Sequence, residues 1–184
     1  MSAPYWIDVF DEIITDVRAD ADKPAELDTD EPFYMYGHPL EIINTLSMKD
    51  NHDVQKYNKY PLIALFQDFD ETMGEHQAVR SSVENLNMII AVNTKPDYTA
   101  ESRYDNTFRT VLYPLYDLLI KHIVKCKWFH NVDPGLVPHT KIDRLYWGRS
   151  GLYSNEGNIF NDSIDAIEVQ NLHLNLRLRQ NCKK

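Results

Sequence analysis

An α+β domain is the fold class this 184-residue sequence predicts, as two layers with a mostly antiparallel sheet packed against helices. Three observations carry it. Residues 4–19 and 101–125 repeat apolar side chains at helical spacing. Two apolar runs, 62–66 and 86–92, are joined by a polar segment that lacks the apolar stripe of a crossover helix. The C-terminal stretch alternates apolar and polar residues, as a strand does when one face of its sheet is wet.

The elements follow in order. Trp6, Phe10, Ile13 and Val17 recur at helical spacing, with Ile7 and Ile14 beside them, and Pro4 suits a first turn. From Asp16 to Glu31 seven acids stand against Arg18 and Lys23. Residues 20–31 therefore read as a flexible, solvated acidic segment. Phe33 to Tyr36 form a short aromatic strand. Pro39 opens a helix with Leu40, Ile43 and Leu46 on one face. The polar run 49–59 leads to a strand over 60–67. After Thr72 a polar segment holding Gly74 reads as a hairpin connection. It enters a second strand, LNMIIAVNT, that stops at Lys95-Pro96-Asp97.

The long helix carries Tyr104, Phe108, Leu112, Leu115, Leu119 and Ile123 as one stripe. Glu101 lies in its first turn and Lys121 and Lys125 in its last, as the helix dipole prefers. Pro114 interrupts it, which predicts a kink near Thr110 or a split there. Residues 127–139 are a loop with Asp-Pro-Gly turn chemistry. TKIDRLYWG reads as a strand, and 148–161 as a long loop with glycines at 148, 151 and 157. In the final strand, Ile167 and Val169 share one face, as do Leu172, Leu174, Leu176 and Leu178. Ala166 is out of phase, and the parity slips near Asn171, which demands a bulge.

The length allows one domain over 1–184 with a real core. Net charge is −9, which argues against a surface that grips phosphate backbones with clustered Lys and Arg. Cys126 and Cys182 are far apart with no C-x-x-C pair, so they read as reduced and incidental. The N-terminus lacks the pattern of a secretory signal, and no apolar run approaches the ~20 residues of a membrane span. A soluble protein made in a cytoplasm is expected.

One motif suggests chemistry. The first strand ends in Asp68-Phe69-Asp70-Glu71-Thr72, the D-x-D-x-T that opens haloacid-dehalogenase-type phosphohydrolases. In that reading Asp68 is the nucleophile, Asp70 the acid/base, Mg²⁺ sits on carboxylates, and Thr94 binds phosphate. That fold needs a parallel sheet, so a crossover must follow the strand, and 71–85 does not supply it. A strand end entering an acidic loop is the preferred reading. The histidines at 38, 52, 76, 122, 130, 139 and 173 show no metal-ligand spacing, and there is no Gly-rich phosphate loop. Leu145, Tyr146 and Trp147 are an aromatic cluster that can stack a base or sugar, or serve as core or subunit contact; a monomeric adaptor domain that binds through Tyr146, Trp147 and the adjacent loop is a further alternative.

Taken together, YPLIALFQDF, VNTKPDYTAESRYDNTFRTVLYPLYDLLIKHI, LYWG and NDSIDAIEVQNLHLNL resemble small structural proteins of tailed bacteriophages. The order and layout over roughly residues 5–178 are similar to the tail-terminator/tail-completion group of the head-to-tail connector. The resemblance implies a virion protein of the neck, built in the host cytoplasm as a homo-oligomeric ring around the DNA channel. Its partners are then its own copies and neighbouring connector or tail proteins, while DNA passes without specific binding. It implies no catalytic residues, cofactor, metal or membrane. The acidic 20–31 segment and the 148–161 loop have no match in the group. The loop, with Tyr146 and Trp147 at its root and Leu152, Tyr153, Ile159 and Phe160 along it, is the expected subunit interface, since a loop in water has no need of so many apolar residues; the alternative is that these side chains fold back onto their own domain.

Overall fold

The computed structural model describes residues 5–27, 31–50, 59–76, 79–130, 137–147 and 163–177. The first helix, α1 (Trp6–Ala19), buries Trp6, Val9, Phe10, Ile13, Ile14 and Val17. The Asp8 carboxylate accepts the Tyr5 backbone N–H at 3.3 Å. The strands are β1 (Phe33–Gly37), β2 (Leu62–Phe66), β3 (Glu71–His76), β4 (Val79–Asn93), β5 (Thr140–Arg144) and β6 (Ile164–Arg177), and α2 (Pro39–Asp50) lies between β1 and β2. They form one sheet in the order β1-β2-β4-β6-β5, with β3 paired to the first half of β4. Only β1 and β2 run parallel; the remaining pairs are antiparallel. The α+β class and the mostly antiparallel sheet are as the sequence predicts.

The polar segment after Thr72 is more ordered than a plain connection. It forms β3 and the first half of β4, because Trp6 and Val83 give this end of the sheet something to cover: the Trp6 indole N–H donates to Glu71 at 2.9 Å, and Val83 is fully buried. The bulge expected near Asn171 is present. Leu86 pairs with Leu172 and Met88 with Val169, so β6 holds one residue more than β4 there. Asn171 takes up the extra length at φ +54°, and its backbone N–H donates to the Asn87 side chain at 3.1 Å.

The central helix is continuous but not uniform. A short α-turn, α3 (Ala100–Arg103), is capped by the Thr99 hydroxyl. Residues Tyr104–Leu112 follow in the wider π register, and α4 (Tyr113–Lys125) completes the rod with Pro114 in its first turn. Pro114 has no N–H to give an α-bond, and the side chains of Asn106, Thr107 and Thr110 each donate to the carbonyl four residues back. Such back-bonding competes with the regular ladder, and a π stretch is how this helix meets both demands. Phe108, Leu112, Leu115, Leu119 and Ile123 of the expected stripe are buried, but Tyr104 is exposed.

Two cores flank the sheet. The larger lies between α1, the central helix and one face of β2, β4 and β6. The smaller joins α2 and Trp147 to Leu62, Ala64, Phe66, Ile89, Ala91, Ile164 and Ala166 on the other face. The two-layer expectation is thus corrected by a third, partial layer. It explains why Leu62–Phe66 is apolar throughout, and why Ala166 falls out of phase with Ile167. On α2, Ile42 joins Ile43 and Leu46 inside, while Leu40 faces water.

Candidate functional site

The root of the 148–161 segment holds the densest buried chemistry. Arg103 and Asp165 are almost wholly removed from solvent and meet at 2.7 Å. Arg103 also donates to the Tyr98 carbonyl at 3.2 Å and the Lys95 carbonyl at 3.1 Å. Asp165 accepts the Tyr146 backbone N–H at 3.3 Å and the Thr107 hydroxyl at 3.0 Å. A buried ion pair persists when its remaining donors and acceptors are matched in this way. The Arg103 guanidinium carbon sits over the Tyr146 ring, 3.6 Å from its centroid, a cation–π contact. Tyr146 sits at φ +54°, a conformation a non-glycine residue holds only when its surroundings over-determine it.

Trp147 is the next residue, and its side chain is spent on its own domain's smaller core. Its backbone N–H donates to the Ile164 carbonyl at 2.8 Å. Its indole N–H donates to Glu168 at 3.2 Å, and Glu168 also accepts from Arg144 and Gln170. The strands entering and leaving the 148–162 segment are therefore locked together at its base. Leu152, Tyr153, Ile159 and Phe160 lie outside the described residues.

The Asp68 and Asp70 pair takes a different form from a phosphohydrolase site. Both are exposed. The Asp70 backbone N–H donates to the Asn85 side chain at 2.9 Å, and its carboxylate accepts from Asn85 at 3.2 Å. Asp70 thus ties the β3–β4 hairpin. Because β4 runs antiparallel to β2, with Phe66 opposite Asn87, Thr94 lies at the far end of the sheet, roughly 25–30 Å from Asp68 at a rise of about 3.3 Å per residue. The proposed phosphate ligand and nucleophile are not brought together. Among the described residues, no group of three or more His, Cys, Asp or Glu is placed to hold a metal ion. Cys126 is free, and burial pushes its thiol upward.

Over its described part the acidic segment carries ion pairs. Asp20 meets Lys121 at 2.9 Å and His122 at 2.7 Å, and Asp22 meets Lys121 at 2.8 Å. Leu27 closes a short turn and is fully buried. Bonds from the Asp22 backbone, then Lys121 and His122, hold the Asp20 carboxyl well below the usual range. Asp20 and Asp22 are not left to repel one another, because Lys121 of α4 meets both.

A tyrosine patch lies where the central helix meets β5. Tyr113 donates to Asp143 at 2.7 Å, and the Lys141 ammonium sits 4.2 Å above the Tyr113 ring and 5.4 Å from that of Tyr116. The Tyr116 hydroxyl lies 2.6 Å from His139 Nε2, and His139 Nδ1 lies 2.6 Å from the Val137 carbonyl. A carbonyl only accepts, so Nδ1 carries the proton and Nε2 accepts from Tyr116. Burial, then Asp143, pushes the Tyr113 phenol up to about 12.

Sequence reasoning found Tyr146 and Trp147 but missed Arg103, Thr107, Asp165 and Glu168. The available signal was Asp165, a carboxylate set between Ile164 and Ala166 in an otherwise apolar run. No family model matches the chain, and neither a curated protein nor a solved structure does so.

Proposed function

We propose that this chain is a virion structural protein of a tailed phage: one subunit of a homo-oligomeric head–tail connector ring of the tail-terminator type. Its work is mechanical. It joins neighbouring rings and leaves a pore for DNA. The observation that carries this reading is the open sheet, whose order β1-β2-β4-β6-β5 ends in two unlike edges. A ring needs one surface to meet a different surface on the next copy, and such a sheet offers that. The net charge of −9 suits a channel wall that DNA slides past. The locked root at Tyr146 and Trp147 gives the 148–161 segment a fixed base from which to reach a neighbour. No helix among the described residues is long and apolar enough to cross a membrane; the proposed location is the virion neck, with assembly in the host cytoplasm.

Native mass spectrometry of the purified chain tests the reading. Expected is one closed species at an integral multiple of the 21.5 kDa subunit. A monomer at every concentration, both free and with its particle, contradicts it.

A further inference from the structure

We infer that the ring closes by strand pairing, the β1 edge of one copy meeting the β5 edge of the next; this rests on the ring reading above. The two edges are open among the described residues, since β1 and β5 end the sheet. On β1, the Phe33 N–H donates to Pro61 and the Gly37 carbonyl accepts from Gln67. Parallel pairing alternates, so Phe33, Met35 and Gly37 face β2. The backbone N–H and C=O of Tyr34 and Tyr36 then point outward. Each edge strand is five residues long, so each can match the other along its whole length.

Direction favours the same joint. Following the pairings across the sheet, β5 runs opposite to β1. Copies related by rotation about an axis along the strands keep one sense, so β5 of one copy reaches β1 of the next antiparallel, the more stable pairing. The faces also correspond. Lys141 and Asp143 pair with Val169 and Ile167, which belong to the larger core. Tyr34 packs on that same core, and Tyr36, two residues on, shares its face. With Ile142 opposite Met35 on one face, a continued antiparallel sheet sets Lys141 opposite Tyr36 on the other, where a cation–π contact can form, and Asp143 opposite Tyr34.

Charges on an edge strand ordinarily block such pairing. Those of β5 are already matched, Lys141 to Asp143 at 2.8 Å and Arg144 to Glu168 at 3.2 Å. Among the described residues no unpaired cation is left on β5 to repel a partner strand. Tyr36 is 49% exposed and is one of the two residues of β1 whose backbone points outward, so it is the residue on which the joint turns.

The experiment uses two blocked edges. Tyr36→Pro removes an N–H that the subunit's own sheet does not use, a change edge strands tolerate. Ile142→Lys blunts the opposite edge. Expected is that wild type assembles, each variant alone is monomeric with an unchanged circular dichroism spectrum, and their mixture forms a heterodimer through the one intact joint. Wild type that stays monomeric at every concentration, both free and with its particle, overturns the ring reading itself. Wild-type rings together with assembly of either variant alone, or with a mixture that stays monomeric, overturn the edge pairing only. Should Tyr36→Pro lose its fold, Tyr36→Lys, which leaves the backbone untouched, replaces it, and its assembly into rings overturns the inference.

Discussion

Removing one half of the Arg103–Asp165 pair should weaken the fold more than any surface change. Arg103 is 1% and Asp165 0% exposed, so neither charge can turn to water when its partner goes. Stranding a buried charge costs about 3–5 kcal/mol. Asp165→Asn keeps an oxygen for Arg103, and Thr107 can give its proton wholly to the Arg103 carbonyl, so it belongs near the lower end. Asp165→Leu deletes every acceptor, including the one for the Tyr146 N–H, and belongs near the upper end. The double variant Arg103→Met with Asp165→Leu strands no charge. It should cost at least about 2 kcal/mol less than the sum of the singles. Urea unfolding followed by circular dichroism gives each free energy. Against a total stability of about 5–15 kcal/mol, these losses are large. Asp165→Leu within about 1 kcal/mol of wild type, or strictly additive singles, would refute the reasoning.

Asn171→Gly should change stability by no more than a few tenths of a kcal/mol, whereas Asn171→Val should cost about 1–2 kcal/mol, since φ is +54° there and only a small residue holds it easily; thermal melts check this. Trp147→Ala should lower stability by about 3–5 kcal/mol in the same assay, as emptying a core site does. The lowered Asp20 pKa contributes stability that is complete above the unfolded value of about 3.9 and is lost as pH falls through the folded one. Asp20→Asn should therefore flatten the stability profile below about pH 4, and an unchanged acid limb contradicts that cause. With Mg²⁺ and a generic phosphomonoester, wild type should release no more phosphate than Asp68→Asn; turnover that this substitution abolishes sinks the structural reading.

The elements were legible wherever one periodicity held without interference. The α1 stripe, the β6 alternation and its slip at Asn171 all follow from side chains that must reach a core. The third layer was less legible, because a strand covered on both faces loses its alternation and carries no direction. Leu62–Phe66 announces burial but not by what. The ion pairs of the acidic segment were hidden for a related reason. Its charge suggested repulsion, yet the compensating Lys121 and His122 lie about a hundred residues away in sequence. The ion pair beneath Tyr146 was hidden likewise: Arg103 sits at the start of a polar helical turn, and nothing local ties it to Asp165. The loop aromatics were visible as composition alone, and what they touch depends on long-range geometry.

Electron microscopy of the assembled particle, with this chain labelled, tests the central claim most directly. The proposal expects a closed ring of identical subunits around a central pore at the junction of head and tail. Label found as isolated subunits, or anywhere other than that junction, would contradict it.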